Sequence, residues 1–319
     1  MYQPYYGLRE APFELTPNPK FLFLTPRHGE ALSNLRYGLT AAKSLTVLVG
    51  EAGTGKTTLI RAALESEECR RITCVYLNNP ALTREDFVRT LAIRFGLTDR
   101  AGESKALFLD ELERVLHERR AQGGEITALV VDEAQSISGE LLEELRLLAN
   151  IETTTERLLP LVLAGQPEFA ARLDDPRLRQ LKQRVALRCE IAPFELSETA
   201  AYIAHRIRTA GGDASELFSR EAVMLIHQYS GGIPRTISVI CDNALVGAMG
   251  LGRRSVDRAV VLEVCRDFSL APPPVDEPRQ PAVQTSVVDE PAASRPQRFR
   301  WFRRGSVPAL GDTSEVVAK

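Results

Sequence analysis

The sequence predicts an α/β fold: a parallel sheet of five strands interleaved with helices, then a helix-only region, then a disordered tail. Three observations predict it. Gly50–Thr58 reads Gly-Glu-Ala-Gly-Thr-Gly-Lys-Thr-Thr, between the apolar run Leu45–Val49 and the helical periodicity of Leu59–Glu65. A second apolar run, Thr127–Val131, ends in Asp132-Glu133. Beyond Pro193-Phe194 only helical spacing remains.

Strand, glycine loop, Lys-Thr and helix together form the context of a phosphate-binding loop. Gly50, Gly53 and Gly55 let backbone N–H groups turn inward, and Glu51, Ala52 and Thr54 complete the turn. The new helix directs its positive N-terminal end at the same phosphates. Lys56 reaches the β- and γ-phosphates, Thr57 ligates Mg²⁺, and Thr58 carries the chain into the helix. A chance match is expected in about one in a hundred chains of this length, so a nucleotide with Mg²⁺ is the expected ligand.

Composition sets wide bounds. A length of 319 residues suits about two domains, and a 44% apolar share suffices for a core. A net charge of −2 gives no whole-molecule attraction to nucleic acid. Cys69, Cys74, Cys189, Cys241 and Cys265 form no CxxC pair and read as reduced thiols, mostly in cores. No signal peptide is visible, and no apolar run approaches the ~20 residues of a membrane helix. The expected location is the cytoplasm.

In chain order, Met1–Thr25 is rich in Tyr, Phe and Pro, and the prolines argue against one long helix. It either packs on the domain surface or walls an adenine pocket. Pro26–Ala42 should be a helix, with Ala31, Leu32, Leu35 and Leu39 at helical spacing. After the loop and its helix, Ile72–Leu77 is a strand closed by Asn78-Asn79-Pro80. Thr83 should cap a helix to about Phe95. Ser104 should cap another to about Gln122, with Leu107, Leu109, Leu112, Val115 and Leu116 on its apolar side, and Gly123-Gly124 stops it.

The run ending in Asp132-Glu133 places two acids at the carboxyl end of a parallel strand, where ligands collect. Asp132 fits the acid that holds Mg²⁺. Glu133 fits the carboxylate that orients or deprotonates a water. Gly139–Asn150 is an amphipathic helix and Leu158–Ala164 a fourth strand. Gln166 follows that strand, either as a turn residue or as a contact to the γ-phosphate or its water. Pro176–Arg184 reads as a basic helix holding Arg177, Arg179, Lys182 and Arg184, and Val185–Ile191 as the fifth strand. Arg184 is either on a solvated face or presented to the next subunit's γ-phosphate. Helices are expected near Ser197–Ala210, Ser219–Tyr229, Pro234–Gly250 and Ser255–Phe268. Arg235 then sits at a helix start, where a cation needs a nearby anion such as a nucleotide phosphate. Residues 270–319 read as disordered. Arg295–Arg304 holds five arginines, Phe299, Trp301 and Phe302 and no acid. It is either a solubilising tail or a patch for an anionic membrane surface, nucleic acid or an acidic partner.

With these residues placed, the chain resembles the AAA+ ATPases, and within them the ATPase domain of ExeA (GspA)-type secretion proteins and related ATPases of exosortase and polysaccharide-export loci. The resemblance rests on Tyr5-Tyr6-Gly7-Leu8, Pro12-Phe13, Thr16-Pro17, Phe21-Leu22-Phe23, Ala31-Leu32 and Leu35–Leu39. It continues in Asp132-Glu133-Ala134-Gln135, Ala164–Glu168 and Gly231–Arg235, and spans roughly residues 1–268. It implies a P-loop NTPase sheet of order 5-1-4-3-2 in residues 1–194, a helical lid at 195–269 and a tail at 270–319. It places Gln166 at the first sensor position and Arg235 at the second, and makes Arg184 or Arg179 the arginine finger. It implies homo-oligomers formed with ATP. ExeA-type proteins continue into a membrane helix and a peptidoglycan-binding region, which this sequence is expected to lack, and Gln166 is not the commonest sensor residue.

The functional expectation is an ATP-hydrolysing protein that drives or times assembly of an envelope secretion or export machine, with an unidentified protein partner there. The tail would then touch the inner membrane. Two alternatives are a DNA-associated ATP switch and a nucleotide-gated binding module with little turnover. Glu133 favours turnover. The eight basic and eight acidic residues of 197–268 give no support to DNA binding.

Overall fold

Strand β1 (Leu45–Gly50) is buried at every residue. It pairs in parallel with β4 (Leu161–Gly165) on one side and β5 (Val185–Ile191) on the other. β3 (Ile126–Val131) pairs with β4 and with β2 (Ile72–Leu77), so the sheet has five strands in the order β2-β3-β4-β1-β5. This is the 5-1-4-3-2 order that the resemblance implies. Sheets with helices on both faces need apolar residues at nearly every position of their inner strands. β1, β3 and β4 meet that need, while β2 and β5, at the edges, alternate with exposed positions. The structure, a computed structural model, describes residues 1–16, 18–78 and 81–270. Of the tail expected at 270–319, all but Leu270 lies outside the described residues, as do Pro17, Asn79 and Pro80.

Neighbouring residues of a strand face opposite sides, and the two sides have separate cores. Leu48, Val130 and Val162 pack against Leu32, Leu35 and Leu39 of α1 (Pro26–Thr40) and Leu59, Ile60 and Ala63 of α2 (Lys56–Leu64). Val47, Leu129, Val131 and Leu163 pack against helices on the other face. These are α3 (Arg84–Phe95), α4 (Lys105–Gly123), α5 (Gly139–Leu148) and α6 (Pro167–Leu173). Thr83 and Ser104 cap α3 and α4 through their hydroxyls, which accept the backbone N–H groups of Asp86 and Leu107.

Three local expectations need correction, and one helix had no expectation. The buried stripe of α4 is Phe108, Leu112 and Leu116, while Leu107 is exposed. The cap at Ser104 puts Leu107 in the first turn facing outward, and the i, i+4 row from Phe108 meets the core. β4 begins at Leu161 rather than Leu158, because Pro160 has no N–H to give the ladder. The basic helix at 176–184 divides into a 3₁₀ turn, Pro176–Leu178, and the single turn of α7 (Arg179–Lys182), with Leu178 out of helical geometry between them. α6 was not foreseen. Pro167 starts it and Phe169 anchors it, a buried ring that contributes about 2–3 kcal/mol.

Residues 196–267 form α8 (Leu196–Thr209), α9 (Ala214–Leu217), α10 (Arg220–Ser230), α11 (Pro234–Gly250) and α12 (Arg258–Asp267). Ile203, Ile207, Ile226, Ile237, Ile240 and Val261 form their core. The N-terminal segment packs into that core through Tyr2, Leu8, Phe13 and Phe21. Buried Arg206 of α8 holds it further: the guanidinium donates to the carbonyls of Pro12 and Glu14 and to the Tyr202 hydroxyl. All five cysteines are free, and four are buried. Among the described residues, no helix is long and apolar enough to cross a membrane.

The helical region joins the sheet through Gly232. Its carbonyl accepts the Phe194 N–H at 2.8 Å. Its φ is +74°, and an added Cβ would lie 2.1 Å from the Phe194 carbonyl oxygen. Substitution there meets both backbone strain and a clash with backbone that cannot swing aside. Gly232→Ala should therefore cost about 3 kcal/mol in denaturant unfolding. A loss under about 0.5 kcal/mol would mean that the junction relaxes freely.

Candidate active site

β1 ends at Gly50, and the loop from Glu51 reaches Lys56, where α2 begins. Gly53 and Gly55 have φ of +83° and +100°. A Cβ at Gly55 would meet no atom within 4 Å, so the loop presents bare backbone toward open space there. Buried Thr54 steadies the turn by donating its hydroxyl to the Glu51 carbonyl at 2.8 Å. The buried Lys56 ammonium donates to the carbonyls of Gly50 at 2.8 Å and Glu51 at 3.0 Å. It has three N–H donors, and these two bonds leave one to meet a phosphate. Burial lowers its pKa, and Glu133 and Asp132 act against that shift.

Asp132 stands one residue beyond β3, under the start of α2. Its Oδ2 accepts the Thr57 hydroxyl at 2.6 Å and the Tyr76 hydroxyl at 2.8 Å, and its Oδ1 accepts the Glu133 N–H at 2.9 Å. A hydroxyl and a carboxylate in contact are oxygen donors of the kind Mg²⁺ takes. Among the described residues no group of three His, Cys, Asp or Glu is placed to hold a metal ion. Burial, then Asp132, raises the Tyr76 pKa, so this hydroxyl stays a donor.

Glu133 is exposed and has a left-handed backbone, φ +56°. Its Oε2 accepts the Gln135 amide, and the Gln166 amide at 3.4 Å. The Gln166 N–H donates to Gln135 Oε1 at 3.1 Å.

A cavity of about 370 Å³ brings most of these groups together. Gly53, Gly55, Lys56, Thr57, Thr58 and Glu133 line one side, and Arg235, Tyr202 and Arg206 the other. The Arg235 N–H donates to the Gly53 carbonyl at 3.2 Å, so α11 starts against the loop. Glu14–Thr16 and Phe21 complete the wall. The N-terminal segment thus both packs on the helical region and lines the cavity. Gly50, Glu51, Ala52 and Thr54 shape the loop without lining the cavity, and Asp132 lies behind Thr57. Gln166 lies beside Glu133. Arg184 and Arg179 do not line the cavity. Among the described residues, Arg177 and Lys182 pair with Asp175 and Asp174, whereas Arg179 and Arg184 enter no ion pair. A larger cleft of about 650 Å³ runs between α5 and Asp175–Leu178. Its Arg84–Glu144 and Arg177–Asp175 charges neutralise each other, so it has the weaker claim.

Sequence reasoning missed Tyr76 and His28. Tyr76 has no motif, and sheet order alone brings it to Asp132. His28, in the first turn of α1, braces the loop from behind. Its Nε2 faces the Thr54 carbonyl at 3.3 Å and its Nδ1 the Thr25 hydroxyl at 2.8 Å. A carbonyl can only accept, so Nε2 carries the proton. Its ring lies 5.4 Å from that of Phe194. Burial lowers its pKa, and the Thr54 carbonyl and Glu198 oppose this. Because the folded value lies below the ordinary 6.5, this group's stability contribution is complete above that pH. It is lost as pH falls below it, where the unfolded chain binds the proton more readily. The melting temperature should therefore drop between pH 7 and 5, less steeply in His28→Gln. Burial also lowers the pKa of His205 and His227, so part of the drop should persist. Identical slopes in the two proteins would remove His28 as a cause.

The AAA domain family model matches residues 40–173. General secretion pathway protein A of Aeromonas hydrophila is 40% identical over 257 residues, which are 80% of this chain and 46% of that protein. The chain thus spans about half the length of that relative. Among solved structures, the ORC2 protein of Aeropyrum pernix aligns with a TM-score of 0.62 at 17% identity, over 81% of this chain and 72% of that one. Cdc6p of Pyrobaculum aerophilum aligns at 0.61 and 18%, over 81% and 70%. Drosophila ORC bound to DNA aligns at 0.61 and 18%, over 85% and 66%. At these identities the structures support the fold alone. Residues 40–173 thus match the AAA domain family, the strand order is that of the AAA+ P-loop fold, and the chain is similar to general secretion pathway protein A.

Proposed function

We propose that the chain binds ATP with Mg²⁺, hydrolyses it, and uses the cycle to drive or time assembly of an envelope secretion or export machine. The observation that carries the hydrolytic reading is the meeting of Lys56, Thr57 and Glu133 in the lining of one cavity, with Asp132 hydrogen-bonded to Thr57 behind it. The process rests on the relative's name alone. In this reading the loop N–H groups and Lys56 hold the β- and γ-phosphates, and Thr57 and Asp132 hold the ion. Mg²⁺ supplies neutralisation of charge on the phosphate oxygens. Glu133 orients and deprotonates the attacking water, and Gln166, within reach of the same carboxylate, acts as the first sensor.

Residues 195–269 act as a lid, and Arg235 reports nucleotide from its first turn against Gly53. Arg184 serves a neighbouring subunit, because a cation arriving from outside stabilises charge on the equatorial oxygens of the transferring group. Its place off its own cavity and its lack of an ion pair among the described residues support that role, and Arg179 shares both features. The protein then works as an ATP-dependent homo-oligomer in the cytoplasm, peripheral at the inner membrane.

Two experiments test this reading. Lys56→Ala should abolish measurable ATP binding. Glu133→Gln should keep affinity within about twofold while phosphate release falls at least ~100-fold; normal release from Glu133→Gln would remove Glu133 from the water-handling role. Wild-type specific activity should rise with protein concentration, and Arg184→Ala should flatten that rise at unchanged ATP affinity. Mixing Arg184→Ala with Glu133→Gln subunits should restore part of the activity. Concentration-independent wild-type activity without rescue would mean a monomeric enzyme.

A further inference from the structure

Glu133 carries its carboxylate at the end of a long, exposed side chain. Ordering such a side chain costs rotamer entropy. A water in the cavity can attack the γ-phosphate productively only if the carboxylate that orients it and takes its proton is held in place, and a misplacement of about 1 Å can cost about a hundredfold in rate. Something beside Glu133 must supply that order.

Gln135 is built to do so. Its Nε2 donates to Glu133 Oε2, while its Oε1 accepts the Gln166 N–H at 3.1 Å. The orientation of the amide is set by its surroundings, because a backbone N–H needs the oxygen and a carboxylate needs the nitrogen. Gln135 is itself clamped. Its carbonyl accepts Arg172 Nη1 at 2.8 Å, and Arg172 Nη2 reaches the Ile137 carbonyl at 2.8 Å. The guanidinium fork thus spans the 3₁₀ turn Ala134–Ser136 from α6. Ala134 and Ile137 are buried on either side of Gln135, which fixes the turn from below. Both bonds to the carboxylate fall on Oε2, and among the described residues none engages Oε1; Glu133 lines the cavity.

We propose that Gln135 is a positioning residue for hydrolysis, holding one oxygen of Glu133 so that the other is presented to the water, with Arg172 as its anchor. The proposal rests on the reading of Glu133 as the group that handles the water. Glutamine suits the place because a neutral amide both donates to the carboxylate and accepts from the backbone. Glutamate has nearly the same shape and can still accept the Gln166 N–H, but it repels Glu133.

Gln135→Glu should therefore lower kcat by about ten- to a hundredfold, with KM and ATP affinity within about twofold of wild type. Arg172→Ala should lower kcat less. The double variant should be no slower than Gln135→Glu alone, because Arg172 acts through Gln135. A second readout needs neither nucleotide nor turnover. In the ligand-free protein the Gln135 side-chain amide protons should exchange slowly with solvent and resonate away from free glutamine, and Glu133→Ala should abolish both features. An active wild type with unchanged turnover in Gln135→Glu overturns the positioning role. Amide resonances indifferent to Glu133→Ala overturn the contact. A wild type that turns over no ATP overturns instead the reading of Glu133, so the failures are distinguishable.

Discussion

The site depends on the 2.6 Å hydrogen bond between the Thr57 hydroxyl and Asp132. Thr57 lies in the first turn of α2 after β1, and Asp132 follows β3, yet β4 lies between those strands. Two loops on non-neighbouring strands meet because every strand of a parallel sheet ends at the same edge. Short apolar strands, buried on both faces, hold that edge in register: Val49 with Gly165, and Val131 with Leu163. The chemistry at the edge then requires no long loops. Asp132 also takes the Tyr76 hydroxyl, so three strands, β1, β3 and β2, converge on one carboxylate.

A second set of contacts ties the helical region to the same loop. Gly53 has no side chain, and Arg235 and Ile233 occupy the space where one would be: a Cβ there would lie 2.9 Å from Arg235 Cβ. Gly232 meets Phe194 backbone to backbone, and the Phe194 ring lies against His28, which braces Thr54. The helical region therefore touches the phosphate loop from the front, through Arg235, and from behind, through Phe194 and His28. The N-terminal segment shares the core of the helical region while lining the cavity with Glu14–Thr16. A cavity wall and a structural core are here the same stretch of chain.

Much of this was legible in the residues. The glycine loop and the acids after an apolar strand are local signals, because phosphate binding needs backbone N–H groups, a lysine and a hydroxyl at consecutive positions. Hydrophobic periodicity found every strand and the longer helices, and caps at Thr83 and Ser104 marked starts. The errors came where a local rule met a tertiary one. Leu107 fits the helical pattern of α4, but the direction of its core is set by β2 and β3, and Phe108 takes the buried place. The basic stretch at 176–184 has helical composition, yet the chain must turn into β5, and the helix breaks at Leu178.

The sequence by itself determined that a phosphate loop, an acidic strand end and a helix-only region share one chain, since each is written in contiguous residues. Only the tertiary structure decided which distant side chains serve them. Tyr76 reaches Asp132 because β2 lies beside β3, and His28 reaches Thr54 because α1 packs against α2. Arg172 grips the turn after Glu133 because α6 follows β4, beside β3. These partners are single polar residues without spacing or repeat, and hydrogen bonding acts at about 3 Å. Their roles exist only once the fold has brought the chain that close.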